Sequence, residues 1–406
     1  MGRIYYLDSN ATTPLDPQVR EAMAPYLAEQ YANPSAIYRF AQEARGAVEA
    51  ARERVAALIN ADAEEIYFTS GGTEADNTAV KGVAFALRDK GRHIITSPIE
   101  HHAVLQACQY LEGFGFELTQ IPVDRYGIVD LEALKKAIRR DTVLITIMHA
   151  NNEIGTIEPV EEIVEIAHAQ GIYVHTDAVQ TVGKLPINVK GLDVDLLSLS
   201  GHKIYGPKGI GALYVRKGVQ MDPLLHGGHH ERNRRAGTEN VPGIVGLGKA
   251  AEVARAELSQ NEKKIRALRD RLEQGILKLI PEVYVNGHPE KRLFNTLNCC
   301  LKGIEGESIL LNLDFEGVCA SSGSACTSGS LDPSHVLLAI NLPHEVAHGS
   351  VRLSLNKFNT SEDVDKVLEV LPKIAERLRG MSPLWGKEGA KKRKKAKMVK
   401  MGINNG

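Results

Sequence analysis

Short β-rich runs alternating with helical patterns fill the first 215 residues, and they constrain the fold more than any other feature. The runs are IYFTS at 66–70, HIITS at 93–97, VLITIM at 143–148, IYVHT at 172–176, DLLSLS at 195–200 and GALYV at 211–215. Helical patterns lie between most of them, at 73–88, 101–112, 130–140 and 159–170. Such alternation predicts an α/β fold, with a mostly parallel sheet covered by helices on both faces. Ligands of such sheets bind outside the carboxyl ends of the strands. Upstream, Asp16-Pro17 reads as an N-cap followed by proline at the first helical position, opening a helix over 17–30, with a second over 38–59. Beyond about residue 255 the long helical run NEKKIRALRDRLEQGILKLI leads into a different pattern. LFNTLNCCL, EGVCASS and SVRLSL read as strands, with helices near 305–314, 333–341 and 360–379. This is a smaller α+β domain, which the N-terminus joins. The expected division is 15–258 for the large domain, 1–14 with 259–385 for the small one, and 386–406 for a tail.

Charge sets the tail apart. The chain carries a net −1, yet residues 387–406 hold eight Lys/Arg against one Glu, leaving the rest at −8. Without apolar periodicity, this basic segment reads as disordered. Apolar runs all stop short of the roughly 20 residues of a membrane span. The start, MGRIYYLDSNATT, has no secretory h-region. Five cysteines without CxxC spacing argue against a disulfide framework or a cysteine zinc site, and no metal is expected. The expected compartment is a reducing cytoplasm.

The chemistry-bearing residues gather after strands. IYFTS-GGT-EADNTAV is strand, glycine turn and helix, so Gly71, Gly72 and Thr73 place N–H groups and a hydroxyl where a phosphate would bind. A strand ends at Ser200-Gly201-His202-Lys203, setting an amine beside anion donors. Another, IYVHTDAVQ, ends in Asp177 and Gln180, and a buried acid there needs a cationic partner. A lysine able to form a Schiff base, a phosphate cup and a carboxylate for a pyridinium nitrogen together point to pyridoxal 5′-phosphate. His101 either caps helix 101–112 or covers a flat cofactor, and His102 is the competing histidine. Asn151-Asn152 supplies amide donors or simply a turn. Cys326, among glycine, serine and alanine in CASSGSACTSGSLDPSH, is the candidate reactive thiol, whereas Cys299 and Cys300 sit in an apolar run. Arg352, on an apolar strand, grips either a substrate carboxylate or a structural acid.

These stretches resemble the pyridoxal-phosphate-dependent cysteine desulfurases, of the nitrogen-fixation and iron–sulfur-cluster type, in the class V aminotransferase family. The similarity runs in order through YLDSNATTPLD, FTSGGTEADN, ANNEIGT, HTDAVQTVGK, SLSGHKIYGPKG, GGHHERNRRAGTEN, SSGSACTSGSLDPSHV and AHGSVRLSL, over about residues 4–385. The resemblance implies the fold-type-I architecture of aspartate aminotransferase and conversion of L-cysteine to L-alanine. It implies that Lys203 is the Schiff-base lysine and Cys326 the persulfide-forming cysteine. It further assigns Asp177 to the pyridinium, Gln180 to the 3′-oxygen and His101 to stacking on the ring. Gly72, Thr73, Ser200 and His202 match the phosphate cup; Asn152 and Arg352 match contacts to substrate and cofactor. Thr238 in RRAGTEN matches a phosphate ligand reaching across a subunit boundary, which implies a homodimer. The implied sulfur acceptor is an iron–sulfur scaffold or a tRNA-thiolation protein; the basic tail, by its charge, either is drawn to the acidic body of the chain or contacts an acidic partner. Asn33-Pro34-Ser35-Ala36-Ile37-Tyr38 departs from the family's usual NPSS-x-H, and the tail lies outside the family pattern. Two other classes fit fewer residues: a different fold-type-I enzyme such as a selenocysteine lyase or aminotransferase, and a sulfur-carrier or scaffold protein without turnover.

Overall fold

The computed structural model describes residues 3–322, 333–382 and 385. Cys326 and the tail 386–406 lie outside the described residues. A short strand, β1 (Tyr5–Tyr6), opens the chain. Seven strands follow: β2 (Ile66–Thr69), β3 (His93–Thr96), β4 (Glu117–Gln120), β5 (Thr142–Thr146), β6 (Tyr173–Asp177), β7 (Leu196–Ser200) and β8 (Gly211–Val215). They form one sheet in the order β2-β8-β7-β6-β5-β3-β4. Strands β4, β3, β5, β6 and β7 run parallel, whereas β8 is antiparallel to both β7 and β2. The sheet is thus mostly parallel, as the alternation predicts.

The apolar content of these strands follows from their burial. All five residues of β5, β7 and β8 are buried, as expected of strands covered on both faces. The helix Gly72–Leu87 lays Ala75, Ala79, Val80, Val83 and Ala84 into this core, small residues that bring its backbone close to the sheet. The helix Pro17–Ala28 starts as predicted: the Asp16 side chain accepts from the Gln18 N–H at 2.8 Å.

Several elements escape the sequence reading, β4 and the long helix among them. β4 (ELTQ) is a half-exposed edge strand with little apolar content. The long helix spans Val241–Leu279, beginning well before residue 255. Its first turns, VPGIVGLG, look like loop because of their glycines. Those glycines permit close packing instead. A Cβ at Gly248 would come within 2.6 Å of Ala51 Cα, and one at Gly246 within 2.6 Å of Met23 Sδ.

The chain divides into two compact units. One comprises Ser9–Lys263 with His288–Phe294 and contains the seven-stranded sheet. The other takes the remaining described residues. Its strands are β1, β9 (Val283–Asn286), β10 (Thr296–Leu301), β11 (Val318–Cys319) and β12 (Ser350–Ser354). β12-β10-β9 is antiparallel, and β1 pairs with β11 in parallel. A capping box at Thr360 and Asp363 starts the helix Ser361–Met381, which buries Val364, Val367, Leu371 and Ile374. Cys299 and Cys300 are fully buried on β10. Among the described residues no helix is long and apolar enough to cross a membrane.

Candidate active site

The turn from β2 into helix Gly72–Leu87 has no side-chain cap; its N-cap, Gly71, has φ 153°. The first-turn N–H groups of this 16-residue helix therefore keep their capacity for an external anion. Gly72 is required by crowding: a Cβ there would meet Val179 Cγ2 at 2.8 Å and Ser200 Cβ at 3.6 Å. Ser200 ends β7, so the helix start and the strand end converge on one spot. Thr73 is exposed at its rim. Glu74 is drawn back from it, accepting from the Ser70 N–H at 2.8 Å and pairing with Arg235 at 2.9 Å.

Beyond β7, Lys203 ends a short turn, Gly201–Lys203. Its ammonium donates to the Asn10 carbonyl and, at 2.9 Å, to the Ala11 carbonyl. His202 Nδ1 lies 3.1 Å from Thr12 Oγ1. Burial, and then the charges of Lys203, Lys208 and Lys184, push the His202 imidazolium down to about 4, so the ring is neutral at pH 7. The Gln180 amide donates to the Asn10 carbonyl at 2.9 Å and accepts from Lys184 Nζ at 3.1 Å. Asn10 Nδ2 donates to the Asn152 carbonyl at 3.0 Å. Segment 9–13 thus ties Lys203, His202, Gln180 and Asn152 together. Sequence reasoning quoted SNATT without assigning it a role.

Asp177 closes β6 and is buried. Its Oδ1 accepts from the Val179 N–H at 2.9 Å. Burial raises the carboxyl to about 6, against the lowering effects of that N–H and of Lys203. His101 caps the helix His102–Glu112: its Nδ1 accepts from the Ala103 N–H at 3.1 Å. The cap answers half of the sequence alternative and bears on the other half. With Nδ1 accepting, the proton of the neutral ring sits on Nε2, so the cap fixes both tautomer and ring plane. Burial, then Lys203 and His102, push its imidazolium down to about 4. Asn151 is the turn residue of its pair, its Oδ1 accepting from Glu153 N at 2.8 Å and Ile154 N at 3.0 Å.

Gly72, Thr73, His101, Asn152, Asp177, Gln180, Ser200, His202 and Lys203 all belong to the larger unit, most at the carboxyl ends of its strands. Thr238 belongs to the same unit, beside Thr69 and Ser70, which lead into the Gly71 turn. It is exposed and borders a cavity of about 200 Å³ with Phe68, Thr69 and Gly209. Arg352 belongs to the other unit, on β12, where Nη2 meets Asp8 Oδ1 at 2.8 Å. Asp8 is therefore the acid that this strand-borne arginine needs within its own unit. A buried carboxyl, Asp76, and the buried Lys184 are further residues that the motifs contained and the sequence reading passed over.

Pyridoxal 5′-phosphate fits this donor set. An uncapped helix end beside Ser200 suits a phosphate, a half-buried amine suits an aldehyde, and a buried carboxylate with one N–H partner suits a pyridinium. Comparison with known proteins agrees. The profile of the Aminotransferase class-V family matches residues 5–367. The chain is 61% identical over 383 residues to a cysteine desulfurase IscS of Methanosarcina thermophila, covering 94% of this chain and 95% of the relative. It is 58% identical to one of Dictyoglomus turgidum, covering 94% and 97%. A solved NifS-like protein superposes with a TM-score of 0.88 at 42% identity, covering 93% of this chain and all of that one. A structure described as SspA in complex with cysteine superposes at 0.78 with 39% identity, covering 87% and 99%. With matches of this extent over both units, the chain belongs to the class-V aminotransferase family, among its pyridoxal-phosphate-dependent cysteine desulfurases.

Proposed function

We propose that the chain converts L-cysteine to L-alanine and passes the sulfur, held as a persulfide on Cys326, to an acceptor protein for iron–sulfur cluster assembly. The observation that carries this reading is the meeting of Lys203, Asp177 and the open start of helix Gly72–Leu87 at one sheet edge. Gly72, Thr73, Ser200 and His202 would hold the phosphate, Asp177 the ring nitrogen, Gln180 the 3′-oxygen and His101 the ring face. When bound, pyridoxal phosphate supplies an electron sink that acidifies the substrate α-carbon and labilises the β-carbon–sulfur bond. Lys203, released from the Asn10 and Ala11 carbonyls as a neutral amine, takes the α-proton on Nζ. Neutral His101, its Nε2–H held in place by the cap, neither repels Lys203 nor competes with it for that proton. Arg352 and Asn152 are the candidates for the substrate carboxylate. The Cys326 thiolate attacks the substrate sulfur; the S–S bond forms as the carbon–sulfur bond breaks.

The same reading covers the division into a large cofactor domain (15–258) and a small domain (1–14 with 259–385) bearing the cysteine loop. It also covers a homodimer in which Thr238 reaches the neighbouring subunit's phosphate, and residence in the cytoplasm. The test is turnover: purified protein with pyridoxal phosphate and L-cysteine should yield alanine and, with a thiol reductant, sulfide in equal amounts. Alanine without sulfide, or amino transfer that needs a 2-oxoacid, would overturn the reading.

A further inference from the structure

Behind Asp177 lies a second carboxyl that the proposed chemistry does not use. Asp76, on helix Gly72–Leu87, has a side chain 2% exposed, and its Oδ1 meets no hydrogen-bond partner. That oxygen lies 3.6 Å from His175 Nε2, beyond hydrogen-bond reach, and the carboxyl bonds Ser198, which stands opposite Asp177 in the β6–β7 register. Ser198 Oγ also lies 2.9 Å from His175 Nε2, and His175 Nδ1 lies 2.8 Å from Thr146 Oγ1. The titratable groups facing Asp76 are Asp177 and His175 on β6 and Glu100 in the turn after β3. Among the described residues none of these is a cation. Burial pushes His175 down to about 3, so it is a neutral imidazole. Glu100 accepts from Ser97 Oγ at 2.6 Å and the Met148 N–H at 3.0 Å; burial still raises it to about 8.

The two aspartates are therefore unequal. Asp177 has a backbone N–H and the field of Lys203; Asp76 has one hydroxyl and two neighbouring acids. Close carboxyls in a dry site do not both ionise, and the proton stays on the one with less support. We propose that Asp76 is a positioning residue that keeps a proton, donates it to Ser198 and leaves the pair's single negative charge on Asp177. The hydrogen bonds then run one way, from Asp76 to Ser198 to His175 Nε2, and from His175 Nδ1–H to Thr146 Oγ1. Ser198 and His175, the two middle groups, each give one bond and take one. That the charge on Asp177 serves a pyridinium rests on the function proposed above; the protonation itself does not.

The test begins without cofactor. Apoprotein labelled with ¹³C-aspartate is examined by infrared spectroscopy at about pH 8, above the ordinary range of carboxyl groups. One isotope-shifted carboxylic-acid band is expected in the unsubstituted protein, so this measurement survives any variant that misfolds. Asp76→Asn should remove the band and Asp177→Asn should keep it. In Asp177→Asn the band should vanish at a pH lower by about one unit or more, because the like charge is gone. Absence of a labelled acid band, or a band that Asp177→Asn removes and Asp76→Asn spares, overturns the proposal. Titration of pyridoxal phosphate into apoprotein then reads the consequence. Asp177→Asn should weaken uptake at least about tenfold more than Asp76→Asn, because only the former removes the anion; equal losses overturn the positioning role. If unsubstituted apoprotein takes up no cofactor, the functional reading fails while the infrared result stands.

Discussion

Replacing Glu231 tests whether the loop that carries Thr238 is held by one buried ion pair. Glu231, Arg232 and Asn233 are three successive non-glycine residues with φ of 44°, 54° and 66°, a conformation that needs outside support. The Glu231 carboxylate supplies it. It takes two bonds from Arg52, at 2.7 and 2.8 Å, and one from the Phe68 N–H at 2.8 Å. Both side chains are 4% exposed. Arg52 also donates to the Ile66 carbonyl at 2.8 Å and lies over the Phe68 ring at 4.7 Å. Glu231→Leu leaves the buried guanidinium with only the more exposed Glu49, at 3.1 Å, as its acid, a loss of up to about 3–5 kcal/mol, against a total stability of about 5–15 kcal/mol. Adding Arg52→Met removes the stranded charge and should return most of that stability. The return is incomplete, because the Ile66 carbonyl and the Phe68 N–H then lack partners, at about 1–3 kcal/mol each if unsatisfied. Urea midpoints by circular dichroism, at matched protein and cofactor concentration, measure the cycle. A double variant as unstable as the sum of its singles would refute the reasoning, since the two side chains would then not be coupled.

Four further outcomes are expected. Lys203→Ala should abolish turnover and the visible absorbance of bound cofactor; borohydride labelling of a different lysine would refute the assignment. Brief iodoacetamide treatment of native protein should label Cys326 first, because burial raises the Cys108, Cys299, Cys300 and Cys319 thiols, Cys300 to about 11; earlier label on half-buried Cys319 would contradict this. Cys326→Ser should still bind pyridoxal phosphate yet release no sulfide from L-cysteine, and wild-type desulfuration would remove the persulfide step. Asp177 is raised in the folded chain to about 6 from 3.8, so its contribution to apoprotein stability is complete below the lower value and is lost as pH rises through the upper one. Asp177→Asn apoprotein should therefore gain on the unsubstituted protein above about pH 6, and a constant difference across the range would refute the burial argument.

What the sequence discloses depends on how local the physics is. Strands β5, β7 and β8 were legible because burial on both faces favours apolar runs. β4 was not, since an edge strand can be as polar as ELTQ. Lys203 and Asp177 were legible because each breaks a pattern at a strand end. Asp76 was not. A polar residue in the first turns of a helix is ordinary, and only the fold places it behind Asp177. Arg352 reads as half of a pair, but its partner Asp8 lies 344 residues away, a separation no local pattern encodes.

The strip 9–13 shows the same limit from the functional side. Its contribution is mostly backbone. The Asn10 carbonyl accepts from both Lys203 and Gln180, and the Ala11 carbonyl accepts from Lys203 again. Thr13 seals the strip to the lysine turn, its N–H and hydroxyl both donating to the His202 carbonyl at 2.9 and 3.0 Å. Carbonyl acceptors favour the ammonium form of Lys203, whereas attack on an aldehyde and removal of an α-proton both require the neutral amine. In the role proposed for Lys203, reaction therefore requires the amine to leave these carbonyls. Gln180, whose amide shares the Asn10 oxygen, keeps its bond and loses a competing donor by that movement. Side-chain substitution at residue 10 or 11 leaves those carbonyls in place. The part of the strip that mutation can reach is Thr13, and Thr13→Val should loosen the lysine turn while sparing the acceptors themselves.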